Sequence, residues 1–81
     1  MINTILNQMI FQAETNRFIA KEAMHTVWTQ VEDVMIRVTS GGREVMPIIE
    51  MTDGIDTYRT TDFADAVDAL ETALQVDEIA A

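Results

Sequence analysis

The chain has 81 residues, no cysteine, 48% apolar residues and a formal net charge of −9. That length makes one domain, near the lower limit for folding without a metal or a crosslink. Disulfides and thiolate metal sites are excluded, and the apolar share is too high for a disordered chain. No apolar run nears the roughly 20 residues that span a bilayer. The first residues also lack the basic start and short apolar core of a secretory signal. The expectation is a soluble, cytoplasmic protein without membrane contact.

The first third carries an apolar stripe at helical spacing: Ile2, Ile5, Leu6, Met9, Ala13, Ala20, Ala23, Met24, Val27 and Val31. Steps of three and four keep these residues on one side of a helix, and no Gly or Pro interrupts them. The pattern predicts one helix over 3–31, with a kink near Asn16 and Arg17. At ~1.5 Å per residue it would run ~45 Å, against a radius of gyration near ~12 Å for a compact chain of this size. One end must then project or pack on a partner. Phe11 and Phe18 lie seven residues apart outside the stripe, beside Ile10 and Ile19. They are the candidate self-association residues, because that spacing suits a second helix from another copy or another protein. The segment 25–31 is rich in β-branched residues and suits a strand too. The continued apolar phase favours helix, with Glu32 and Asp33 as the join.

A hairpin follows. Val34, Ile36 and Val38 alternate with Met35, Arg37 and Thr39, which predicts a strand over 34–39. Gly41 and Gly42 suit a two-residue turn, and a second strand is expected over 45–51. Pairing about that turn sets Val38 opposite Val45 and Val34 opposite Ile49. The same register asks Pro47 for a hydrogen bond it cannot donate, so a bulge or a longer turn is required. Asp53-Gly54 marks the next turn, before a third strand over 55–60. One face of the meander is apolar (Val34, Ile36, Val38, Val45, Ile49, Tyr58), and the other mixes Met35, Met46 and Ile48 with Arg37 and Arg59. Thr61 or Asp62 caps a helix over 62–75, whose buried stripe is Phe63, Val67, Leu70 and Leu74. Asp62, Asp65 and Asp68 take its outer face and Glu71 its flank, and 76–81 reads as a frayed acidic tail. The fold class is α+β, in the order α-β-β-β-α, with both helices on one sheet face.

Few residues suit catalysis. His25 is the only histidine and Ser40 the only serine. His25 falls on the polar helix face and Ser40 in the glycine-rich turn, so no oriented nucleophile and base are expected. Asp53 and Asp56 match a fragment of a calcium loop, but the twelve-residue pattern is absent. Gly41-Gly42 precedes no lysine or helix start and is a turn rather than a phosphate cradle. Arg37, Arg43 and Arg59 are too few to bind nucleic acid within so negative a field. Trp28 is expected in the core, with an interface anchor as the alternative. The expected protein is not an enzyme and uses no metal or cofactor.

Charge is uneven along the chain. Residues 1–42 hold four acids against three bases, a net of −1, while 43–81 hold ten acids against two bases, a net of −8. Such a field repels nucleic acid and anionic membranes and attracts basic partners. The candidate binding face is Asp53, Asp56, Asp62, Asp65, Asp68 and Glu71, since carboxylates spaced along a rigid surface imitate a row of phosphates. In size, acidity and helix-plus-meander layout the chain resembles small phage-encoded inhibitors of the anti-CRISPR and DNA-mimic type. The resemblance is one of class, spread loosely over the whole chain. It implies a protein that inhibits a basic, nucleic-acid-handling protein in the host cytoplasm. The alternative is a structural or accessory protein assembling through its first helix, with acidity serving solubility.

Overall fold

The computed structural model describes residues 2–42 and 46–80, with side chains placed as far as Leu74. Val45, assigned above to the second strand, and Arg43, one of the three arginines weighed for nucleic-acid binding, lie outside the described residues. The elements are α1 (Ile2–Ala20), β1 (Met24–Val31), β2 (Val34–Gly41), β3 (Ile48–Thr52), β4 (Thr57–Thr60) and α2 (Phe63–Ala80). The fold is α+β, with a helix at each end of an antiparallel sheet. That sheet has four strands in the order β1-β2-β3-β4, one more than expected.

The extra strand comes from the first helix, which ends at Ala20 and not at residue 31. Lys21 turns left-handed, with φ of 56°. Its amide donates to the Phe18 carbonyl at 3.3 Å, and the Glu22 amide donates to the Arg17 carbonyl at 3.0 Å. This pair of bonds is the Schellman closure of a helix C-terminus. Glycine usually occupies the left-handed position, so a lysine there left no stop signal in the sequence. From Met24 onward the β-branched residues take the strand that their propensity allows. At 19 residues α1 is about 28 Å long, so the argument that it outgrows the domain no longer holds.

Sheet pairing follows side-chain polarity. Val27, Val38, Ile49 and Thr60 form one cross-strand row on the helix side, and Thr29, Ile36, Met51 and Tyr58 form the next. Val38 therefore faces Ile49, and not Val45 as a two-residue turn at Gly41-Gly42 required. The connection is longer, and Pro47 falls just before β3, where no ladder bond is asked of it. The third expected strand also starts later, at Thr57, because Asp53–Asp56 form a four-residue turn.

Both helices cover the same face. Leu6, Met9 and Ala13 from α1 and Ala66 and Leu70 from α2 meet Val34, Ile36, Val38, Ile49 and Met51 in one core. Phe63, Val67 and Leu74 pack at its margin, so among the described residues the fully buried positions of α2 are Ala66 and Leu70. Asp62 is the cap of α2: its Oδ1 accepts from the Asp65 amide at 3.1 Å and its carbonyl from the Ala66 amide at 3.0 Å. The helix continues to Ala80 instead of fraying after residue 75, as residues 75–80 contain no Gly or Pro to stop it.

Candidate functional site: an acid-rimmed cleft

The turn between β3 and β4 is built by Asp53. Its Oδ1 accepts from the amides of Ile55 and Asp56, each at 2.9 Å. The Thr52 hydroxyl takes the Gly54 amide at 3.1 Å. An aspartate accepting its own downstream amides is the Asx turn that sequences of this type favour. Those two donors, Asp56 first and then Ile55, hold the Asp53 carboxyl below its ordinary value of 3.8.

A carboxyl with a lowered folded-state pKa stabilises above its unfolded value, and the contribution is lost as pH falls through the folded one. Acidification below 3.8 should therefore loosen this turn first. Amide exchange at Ile55 and Asp56 should accelerate there while the amides of β2 stay protected. Equal acceleration in β2 would mean that the turn has no separate acid response.

Beside the turn, α2 crosses the helix-side face of β3 and β4 and leaves a cleft of about 570 Å³. Its floor is Val34, Met51, Tyr58, Ala69 and Ala73, and four carboxylates line it: Asp53 and Asp56 from the turn, Asp65 and Asp68 from α2. Four of the six acids singled out in the sequence thus converge on one concavity. Asp62 is occupied in capping α2, and Glu71 lies outside the cleft. Asp65 and Asp68 are exposed as expected, yet they face the β3–β4 turn rather than a bare outer surface. Among the described residues no group of acids or histidines is arranged to hold a metal ion.

The other candidates move further. His25 lies in β1 and not on a helix, half-buried on the helix side, with Nδ1 2.8 Å from Glu22 Oε2. Ser40 sits opposite it in β2 rather than in the turn. At 2% exposure Ser40 offers almost no surface to a substrate. Trp28 is not a core residue; it is 67% exposed on the open face of the sheet. There it begins a cross-strand row with Arg37, Glu50 and Arg59. Arg37 Nη2 donates to both Glu50 oxygens at 3.1 Å, so the basic side chains of this face are partly committed. The alternation of Thr26, Trp28 and Gln30 with Val27, Thr29 and Val31 was the only signal for that face. Phe11 and Phe18 remain on the surface, 70% and 84% exposed, pointing away from the sheet.

Comparison of the chain with protein families, with curated proteins and with solved structures finds no match.

Proposed function

We propose that the chain is a non-enzymatic binding protein whose acidic cleft engages a basic segment of a nucleic-acid-handling protein and so inhibits or regulates it. The observation that carries this reading is the convergence of Asp53, Asp56, Asp65 and Asp68 on one apolar-floored cleft. Carboxylates on two rigid supports present a fixed array of negative charge, the property a basic channel recognises in phosphates. The apolar floor adds what phosphates lack, a surface for the aliphatic stems of lysine and arginine. At −9 the protein itself is repelled by nucleic acid and by anionic membranes. The resemblance to phage-encoded DNA mimics and anti-CRISPR inhibitors fits the same reading, with action in the host cytoplasm.

The test is a triple variant, Asp56→Asn/Asp65→Asn/Asp68→Asn. Asp53 and Asp62 are left alone because they hold the turn and the helix cap. The probe is an amphipathic peptide of lysine, arginine and leucine, with circular dichroism as the folding control. Association should slow by about tenfold or more, and its salt dependence should flatten. An unchanged association rate in a folded variant would leave acidity to solubility alone. A second reading, assembly through α1, is favoured by the exposure of Phe11 and Phe18.

A further inference from the structure

The strand order leaves two edges, β1 and β4. An edge strand presents a row of unpaired amides and carbonyls, and soluble proteins blunt such edges with short strands, charge, proline or bulges. The β4 edge follows that rule, with four residues and Arg59 among them. The β1 edge does not. It is eight residues long, Met-His-Thr-Val-Trp-Thr-Gln-Val, with no acid, lysine, arginine or proline. It pairs with β2 at every position without a bulge. Among the described residues, no backbone group of Met24–Val31 bonds to anything outside the sheet.

We propose that β1 is a self-association edge. Two copies pair antiparallel through His25–Val31 about a twofold axis at Trp28, joining two four-stranded sheets into one of eight strands. Antiparallel neighbours share a face, so odd residues must meet odd and even meet even. Centring on Trp28 places it against its own copy on the open face, with Thr26 opposite the second copy's Gln30. On the helix side, Val27 meets the second copy's Thr29 and His25 its Val31. No charge is buried by any of these pairs.

Charge selects a second copy over an unrelated strand. Antiparallel pairing brings the start of one β1 to the end of the other. Lys21, just before the strand, then approaches Glu32 and Asp33 of the second copy, twice over by symmetry, while its neighbour Glu22 is engaged by His25 of its own chain at 2.8 Å. Lys21, Glu32 and Asp33 are exposed, and none is in an ion pair among the described residues. The acid-rimmed cleft lies along the far edge of each sheet, roughly 14 Å away at three strand spacings, so the strongest repulsion is held outside the contact.

Helix spacing agrees. α1 lies over β1 and β2, so two such helices flanking the axis stand about 10 Å apart, the separation of packed helices. The flank of α1 towards this edge carries Ile5, Gln8 and Gln12, which line an open trench of about 340 Å³ with β1. The facing helix closes that trench.

Sedimentation velocity across a concentration series tests the proposal. The parent should approach twice its 9.1 kDa, and emission from Trp28, the only tryptophan, should shift to the blue in step. Trp28→Lys and, separately, the double variant Thr26→Lys/Gln30→Lys should each give folded monomers, since these side chains are exposed and lysine would meet lysine across the axis. Met35→Lys, one strand further in on the open face, and Phe11→Glu/Phe18→Glu on α1 should leave the dimer intact. Alternate amides of β1 should gain exchange protection as concentration rises. A parent that stays monomeric at high micromolar concentration overturns the proposal, as does a dimer that survives in both β1 lysine variants. Loss of the dimer with Met35→Lys would overturn it in favour of stacked sheet faces, and loss with the Phe pair in favour of α1.

Discussion

Leu70→Ala is expected to cost roughly 2–5 kcal/mol, the range for truncating a fully buried leucine. Leu70 is 0% exposed and, with Ala66, attaches α2 to the core. At ~0.05–0.15 kcal/mol per residue the whole domain has only about 4–12 kcal/mol of stability, so this one change removes a large part of it. Denaturant unfolding should show a lower midpoint at unchanged slope. Under the proposed function the effect extends to binding, because α2 supplies Asp65 and Asp68 to the cleft. A variant retaining the sheet but losing α2 contacts should also lose affinity for a basic peptide. A midpoint equal to the parent's would mean that α2 is not docked through Leu70.

Gly41→Ala should be as damaging, for a different reason. Gly41 has φ of +100°, and a Cβ there would stand 2.2 Å from the Ala23 carbonyl oxygen and 2.8 Å from Arg17 Cδ. The first obstacle is backbone, held in place because the Gly42 amide donates to that same carbonyl at 3.1 Å. Backbone strain of this kind costs about 1–3 kcal/mol, and overpacking adds typically ~1–3 kcal/mol. Gly54→Ala separates the two effects. Its φ is +95°, but nothing lies within 4 Å of the added carbon. Thermal unfolding should show a much larger loss at residue 41 than at 54. Equal losses would mean that the contact with Ala23 relaxes without cost.

Gly54 also marks where local reasoning succeeds. Asp53-Gly54 was readable as a turn, Asp62 as a cap, and Leu6, Met9, Ala13 and Leu70 as residues on helical stripes. What failed was the boundary at Ala20. Ala20, Ala23, Met24, Val27 and Val31 keep helical spacing, yet the last three lie in a strand. Met24 in fact falls on the opposite face from Val27 and Val31. Thr29, a polar residue in the inward row, hid the alternation that would have revealed β1.

Caps, Asx turns and amphipathic stripes depend on residues within about four positions of one another, so their physics is contained in short stretches of chain. Composition likewise sets the sign and strength of the protein's field without any fold. Strand register, the exposure of Trp28 and the gathering of Asp53 and Asp56 with Asp65 and Asp68 have no local cause. They arise because the Schellman turn at Lys21 frees β1 to cover β2, the buried row Val27-Val38-Ile49 then sets the alignment of the sheet, and Leu70 lays α2 across β3 and β4. Unlike the turn, the strand row and the docking of α2 join residues ten or more positions apart, and only packing the two helices on one face selects among the pairings that local preference allows.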